Sequence, residues 1–497
     1  MNILLVYPEF PDTYWSFRYA LAFEGKRAAF PPLGLLTISA LLPANWQRRL
    51  VDLNIYSLQV ADLRWADVVF ISAMIVQKDS LGEIIKLCKA HGKRVVVGGP
   101  YITTSSQDVG ADHIFLGEAE TTLPEFVRDL ESGQVKRVYQ ALERPSLSAS
   151  PIPDFQLADL QKYSAMSVQY SRGCPFQCEF CDIIEIYGRK PRTKSNEQIL
   201  AELNKLYDLG WRGMVFLVDD NFIGNKRQVK TLLPTLAAWS KQHNNPFSFI
   251  TEASVNLAED EELLRGMQEA GFRRVFLGIE TPVEASLKEA QKGQNLQSDL
   301  LTSVRKIQSY GMEVMAGFII GFDNDPEDIF DRQIEFIRAS AIPLAMVGLL
   351  TALPGTQLWR RLAREERLLT ESSGNNTDGS LNFVPKTDAR QLTINYQEML
   401  RTLYSPHEYY QRALDSLDRV RVTSVEPRRN GRFSDVITFA RVVLQLGIRD
   451  PSRSSFWRYL SNVAFQRRQR FAEAIRLAAL GYHFRKLADV CFPHQTK

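Results

Sequence analysis

Ser171-Arg-Gly-Cys-Pro-Phe-Gln-Cys-Glu-Phe-Cys181 places three cysteines, Cys174, Cys178 and Cys181, within eight residues. Thiolates at that density bind a metal or a cluster, and cysteine is the usual iron–sulfur ligand. A structural zinc site is normally closed by four protein ligands. Here the loop offers three, holds no histidine, and lies far in sequence from Cys88 and Cys491. A four-iron cluster on three cysteines keeps one iron open to a ligand that is not protein. On the residues alone, a zinc-binding loop or a redox disulfide is the alternative, although a disulfide leaves one thiol over.

Outward from this loop, strand and helix alternate. Downstream the pattern predicts strands at Ser167–Ser171, Met214–Val218, Phe247–Glu252, Arg274–Glu280, Glu313–Ile320 and Ala345–Leu353. Helices are expected at Glu197–Leu209, Gln228–Gln242, Asp260–Ala270, Asp299–Tyr310 and Pro326–Ala339. In parallel barrels the reactive groups gather at the carboxyl ends of the strands. Those ends carry Asp219-Asp220-Asn221, Glu252, Glu280, Gly321 and Leu353-Pro-Gly-Thr356.

Upstream, apolar runs at Ile3–Tyr7, Arg49–Leu53, Val68–Ser72, Arg94–Val97 and His113–Leu116 alternate with helical stretches such as Ser80–His91 and Thr122–Leu130. This predicts an open α/β domain over residues 1–135, with a parallel sheet covered on both faces. Ligands bind such sheets beyond the strand ends, which here carry Tyr7-Pro-Glu-Phe10, Ser72-Ala73-Met74, Gly98-Gly99-Pro100 and Gly117-Glu118, a plain tight turn being the alternative for the Gly pair. Residues 136–165, rich in Pro and Ser, read as an extended connector. Residues 166–365 form the cysteine-bearing barrel and 366–497 a mainly helical extension, with helices at Leu392–Leu403, His407–Val420, Ser434–Gly447 and Ser455–Leu487.

The composition is that of a soluble globular protein, 45% hydrophobic and 24% charged, with a net charge of +3. That balance and the lack of a recognisable RNA-binding tail argue against nucleic acid. Five cysteines without an even framework point to the cytosol. Met1-Asn-Ile-Leu-Leu-Val-Tyr7 reads as a strand, not a signal peptide. No run is long and apolar enough to predict a membrane span. The last 47 residues are basic and aromatic. They read as a helical lid with a solvated basic face or, alternatively, as a surface for peripheral membrane contact.

The C-x3-C-x2-C spacing with Phe180 before the last cysteine resembles the radical S-adenosylmethionine enzymes. The whole layout resembles their cobalamin-dependent subclass, including the hopanoid methylases. The resemblance implies a Rossmann-like cobalamin-binding domain, a partial (β/α)6 radical barrel and a C-terminal helical domain. It implies three cofactors, a [4Fe–4S] cluster, S-adenosylmethionine and cobalamin.

Residue by residue, it implies that Cys174, Cys178 and Cys181 hold the cluster and Phe180 lies near the adenine. The Asp219-Asp220-Asn221 turn stands where the family's Gly-Gly-Glu turn receives the S-adenosylmethionine amino group, with Asp219 or Asp220 as acceptor. Glu252 and Glu280 stand where ribose or methionine contacts occur, a barrel-mouth ion pair being their alternative. Gly317-Phe-Ile-Ile-Gly321 matches the adenine-binding strand, with Asn324 in place of the acid that follows. Ser72, Gly98 and Gly99 match the groove for the nucleotide tail of cobalamin. The loop Tyr7–Arg18 lacks the family's histidine, so no cobalt ligand is expected from it. Tyr14, Trp15 and Phe17 would pack on corrin, on substrate or in the core.

The implied activity is methylation of an unactivated carbon of a small molecule or lipid, hopanoid or isoprenoid among them. A 5′-deoxyadenosyl radical abstracts hydrogen, and a flavodoxin or ferredoxin supplies electrons. A non-methylating rearrangement or cyclisation, and a cobalamin or iron–sulfur sensor, are the alternatives.

Overall fold

The computed structural model describes residues 1–105, 108–141, 143–422 and 433–491. Two six-stranded parallel sheets dominate. The first comprises β1 (Asn2–Tyr7), β2 (Gln47–Asp52), β3 (Val68–Ser72), β4 (Arg94–Gly98), β5 (His113–Leu116) and β6 (Val138–Gln140) in the order 2-1-3-4-5-6. Its central strands β1, β3 and β4 are near-continuous apolar runs because helices cover both faces, while the edge strands β2 and β6 are partly exposed. Ile3, Leu5, Phe70 and Val96 pack to one side, and Leu4, Val6, Val69 and Val97 to the other. The strand order reverses between β1 and β3, which opens a crevice beyond their carboxyl ends.

β6 lies inside the stretch read as a connector. It pairs with β5 from Ile114↔Val138 to Leu116↔Gln140, and a three-residue strand is too short to show a period in the sequence. The rest of that stretch is not simply extended. It makes 3-10 turns at Leu147–Ala149, Phe155–Leu157 and Leu160–Lys162, with Phe155 buried in the main core.

The second sheet runs β7 (Ala165–Val168), β10 (Gly213–Leu217), β11 (Phe247–Ala253), β12 (Phe272–Glu280), β13 (Glu313–Ile320) and β14 (Leu344–Leu349), in sequence order and all parallel. β7 and β14 are its two edges, so the barrel is open. Between β7 and β10 lies a small antiparallel pair, β8 (Ser171–Arg172) with β9 (Arg192–Thr193). The single strand expected over Ser167–Ser171 is therefore broken. Asp219 Oδ1 accepts hydrogen bonds from Tyr170 N at 2.8 Å and Ser171 N at 2.6 Å and holds the chain off the sheet.

The C-terminal helices close the β14 edge. Carbonyls two residues apart on a strand point the same way. Tyr14 and Tyr396 hydroxyls both donate to Val347 O at 2.9 Å, and Tyr404 donates to Ala345 O. Asn382 continues the pattern, accepting from Ala352 N at 2.9 Å and donating to Ala352 O at 2.8 Å. These contacts protect an edge that would otherwise invite pairing with another chain. The final stretch, expected as one helix, is two, Arg453–Gln466 and Phe471–Cys491, joined by a 3-10 turn.

Candidate functional site

The cysteine loop is built from backbone contacts on both sides. Gly173 has φ +96, and a Cβ there would lie 2.8 Å from Gly188 O, so only glycine lets the loop start. Cys174 N donates to Gly188 O, Glu179 N to Ala290 O, and Cys181 N to Cys178 O. Glu179 is clamped by Arg361, Nε to Oε1 at 2.6 Å and Nη2 to Oε2 at 3.1 Å, a bidentate pair that fixes the loop's orientation.

The thiols have two amide neighbours, Asn221 of the strand-end turn and Gln294, and the sequence reading missed Gln294 altogether and the thiol partner of Asn221. Asn221 Nδ2 lies 3.9 Å from Cys174 Sγ, and Gln294 Nε2 lies 3.6 Å from Cys178 Sγ. Hydrogen bonds to the sulfurs are one of the levers on a cluster's potential. Burial pushes the thiols of Cys174 and Cys181 up, so taking up metal must release protons. Among the described residues no three His, Cys, Asp or Glu side chains are grouped to hold one metal ion.

The strand-end acids differ in their surroundings. Asp219 is committed through Oδ1 to two backbone amides, while Oδ2 is buried with no hydrogen-bond partner. Asp220 Oδ2 accepts from Gly173 N at 2.8 Å, just ahead of the first cysteine. Glu252 has no cation beside it among the described residues. Burial, then the charges of Asp220 and Asp219, push it up to about 8. A cationic ligand group in this corner would relieve that repulsion.

Glu280, at φ +63, is paired with Lys292. Burial pulls Lys292 down, but Glu280 and the thiols of Cys178 and Cys181 outweigh it and raise the amine. Lys292 Nζ also lies 5.8 Å from the Phe180 ring centroid. A Cβ at Gly317 would lie 3.1 Å from Phe276 Cζ, so glycine there leaves room beside the pair. Gly321, at φ +107, turns the chain out of β13. The acid that holds this turn is Asp325, accepting from Gly321 N at 2.8 Å and Phe322 N at 3.0 Å. Asn324 instead donates to Glu289.

On the first sheet, Gly99 has φ +99, and a Cβ would lie 2.7 Å from Ser72 Oγ and 2.9 Å from Ala73 O. Ser72, Gly98 and Gly99 thus form one close-packed cradle beside the crevice, where the two glycines let the backbone come close. This fits a long ligand tail.

The loop after β1 leaves the crevice for the second sheet. Trp15 stacks near Phe216 (centroids 6.0 Å apart, 7° between planes) and lies 5.2 Å from Phe276; Phe30 lies 5.1 Å from Phe216. Tyr14 is core, stacked on Phe484 at 5.1 Å. Phe17 lies 5.7 Å from His483. His483 reaches this loop from the C-terminal helix but holds its backbone, with Nε2 3.2 Å from Thr13 O and 3.3 Å from Tyr14 O. Carbonyl partners make that nitrogen the donor.

The two sheets meet at a buried ion cluster invisible in the sequence. Glu118, just past β5, takes Arg172 Nη1 at 2.6 Å and Arg192 Nη2 at 2.6 Å, while Glu120 takes Arg172 Nη1 at 2.7 Å. Arg172 directly precedes Gly173-Cys174, so the cysteine loop is anchored on the first domain. A cavity of about 410 Å³ opens beside the loop, lined by Pro175, Phe176, Lys190, Asn221, Lys226 and Ser254 among others.

Residues 27–127 match the B12 binding domain, 168–337 the Radical SAM superfamily, and 356–497 a domain of unknown function (DUF4070). The chain is 46% identical to an uncharacterized methyltransferase of Synechocystis sp., across 99% of this chain and 92% of that one. It is 35% identical to the hopanoid C-2 methylase of Rhodopseudomonas palustris, across 92% of this chain and 88% of the relative. Its fold matches that of the cobalamin-dependent S-adenosylmethionine radical enzyme OxsB with a TM-score of 0.63 at 16% identity, covering 99% of this chain and 80% of that one. The cofactors are accordingly a [4Fe–4S] cluster, S-adenosylmethionine and cobalamin, and the chain belongs to the cobalamin-dependent radical S-adenosylmethionine methylases, the family of the hopanoid methylases.

Proposed function

We propose that this enzyme methylates an unactivated carbon of an apolar, ring-bearing small molecule or lipid, an isoprenoid of the hopanoid type being the leading class. The observation that carries the reading is the aromatic wall of Trp15, Phe30, Phe216 and Phe276, where the loop leaving the cobalamin domain enters the radical barrel. A flat apolar substrate held there would sit between the two cofactor domains. The 35% identity to a hopanoid C-2 methylase points the same way.

When bound, the cluster and S-adenosylmethionine supply a carbon-centred radical, and cobalamin supplies the methyl group. The chain's own work is binding, orientation and exclusion of water. Cys174, Cys178 and Cys181 hold the cluster, with Asn221 and Gln294 donating to two of the sulfurs. Glu252, beside Asp219 and Asp220, receives the ammonium of S-adenosylmethionine, and Asp219 and Asp220 also fix the backbone entering the cysteine loop. Lys292, held by Glu280, faces the carboxylate end, while Phe180, Gly317 and Gly321 shape the adenine side. Ser72, Gly98 and Gly99 line the cobalamin tail groove. Residues 1–135 are the cobalamin domain, 166–365 the radical core and 366–497 the helical closure. A small electron-transfer protein such as a flavodoxin or ferredoxin reduces the cluster.

Anaerobic turnover tests this. Reconstituted enzyme with cobalamin, reductant and methyl-deuterated S-adenosylmethionine is offered a lipid extract, with Cys178→Ala as control. A deuterated methyl on an apolar product, with 5′-deoxyadenosine and S-adenosylhomocysteine both formed, is the expected result. Formation of 5′-deoxyadenosine alone from a converted but unmethylated lipid would establish a rearrangement instead.

A further inference from the structure

The helical extension carries an apolar stripe on its outer surface. The helix Phe433–Val442 continues into a π-helical segment, Val443–Arg449. Val442 and Leu446 of this rod are buried in the main core. Its outer face is nevertheless apolar, with Val436 64%, Leu444 42% and Ile448 59% exposed and Ala440 between them. The spacing is four residues throughout. The wider period of the π segment compensates the drift of a four-residue step on an α-helix and keeps one stripe.

The next helix, Arg453–Gln466, adds a second row. Arg453, Trp457, Ser461 and Phe465 recur every four residues, with Trp457 43% and Phe465 79% exposed. Trp457 joins the two rows, since its Nε1 donates to Gly447 O at 2.8 Å. Exposed arginines flank the junction. Arg449, Arg453 and Arg458 have no carboxylate partner among the described residues. The acids on these elements are Asp450, buried against Arg485, and Asp435 at the far end of the first helix.

We propose that this face docks the enzyme on an anionic lipid surface, with Val436, Leu444, Ile448, Trp457 and Phe465 entering the interface and Arg449, Arg453 and Arg458 at the headgroups. A basic, apolar helical face with a tryptophan at its boundary suits the plane of a bilayer interface. No helix among the described residues is long and apolar enough to cross a membrane, so the contact lies on the surface. A second copy of the chain is disfavoured, because two arginine-flanked faces repel each other. The docking stands apart from the chemistry and does not require the substrate reading.

The test is co-sedimentation of the full-length holoenzyme with vesicles of phosphatidylglycerol and phosphatidylcholine, against phosphatidylcholine alone. The unaltered chain should bind the anionic vesicles, and binding should fall with added salt. Leu444→Asp/Ile448→Asp and Arg449→Glu/Arg453→Glu should each weaken it on the order of tenfold or more. Unchanged thermal unfolding and 5′-deoxyadenosine formation with a chemical reductant would show that these surface variants still fold. Absence of binding by the unaltered chain, or full binding by both variants, would overturn the proposal. So would concentration-dependent dimerisation that the same variants abolish without any vesicle binding.

Discussion

Two seams of the radical barrel, one beside the cysteine loop and one along β14, are made of opposite materials. Beside the cysteine loop, the seam with the cobalamin domain is ionic, two arginines sharing Glu118 with Glu120 alongside. Along β14 itself, the seam with the C-terminal helices is neutral; the same helices place charge elsewhere on the barrel, Arg476 against Glu313 of β13 and Arg412 Nε on Ile342 O. Tyrosine hydroxyls cap strand carbonyls, and Tyr14, Tyr404 and Phe484 pack as rings around them. A buried ion pair adds little over an apolar contact but penalises the loss of one partner heavily. The ionic seam therefore enforces geometry where the cysteine loop must face the cobalamin domain. The neutral seam supplies cohesion in small additive amounts where only closure is needed.

Removing the shared acid strains this contrast most. Glu118→Ala leaves Arg172 and Arg192 buried and under-compensated, and should cost about 3–5 kcal/mol. Iron content after reconstitution should fall with the melting temperature. Normal iron loading at reduced stability would show that the seam does not position the loop.

On the neutral side, Phe484→Ala should cost about 3–4 kcal/mol through the cavity it leaves among Tyr14 and Tyr404. Iron loading per folded molecule should hold, and a loss of clusters would mean that the two seams are coupled.

One histidine is buried beside the tyrosines of the neutral seam. Burial pulls His483 down to about 4, below its ordinary value near 6.5. The folded state thus favours the neutral ring. The stability this gives is complete above pH 6.5 and is lost as pH falls from there to about 4, at most about 3 kcal/mol. Urea titrations across that window should show a slope that His483→Gln removes; an unchanged slope would assign it elsewhere.

Tyr396→Phe makes the finest comparison. It deletes one hydroxyl shared between Val347 O, which keeps Tyr14, and Asn376 O at 3.1 Å, so the loss should be about 1 kcal/mol. A loss above that of Phe484→Ala would contradict additive closure.

Most strands were legible, because parallel strands covered on both faces are continuous apolar runs and helices of the α/β layers are amphipathic. The misreadings share a cause. β6 is three residues long, and the break after Val168 depends on a carboxylate 49 residues away. The cysteine loop was legible because the spacing of its ligands is local. Lys292 and Gln294 were not, since nothing in their neighbourhood marks a Lys or Gln that will fold onto the site; Asn221 and Glu118 were read as strand-end residues, but not their partners Cys174, Arg172 and Arg192. Trp15 was noticed as an aromatic, but its place in the barrel lumen depends on how the two sheets pack.

By itself, the sequence determined the cysteine triad, the strand–helix alternation and the glycines that a close backbone turn demands, since each is a matter of short-range sterics or periodicity. Tertiary structure alone decided which acid each buried arginine would find, which histidine would stay neutral, and what would close the open barrel edge. Those outcomes join residues as far apart as Thr13 and His483, 470 positions along the chain. They are set by what burial forces polar groups to satisfy, and a sequence lists such groups without pairing them.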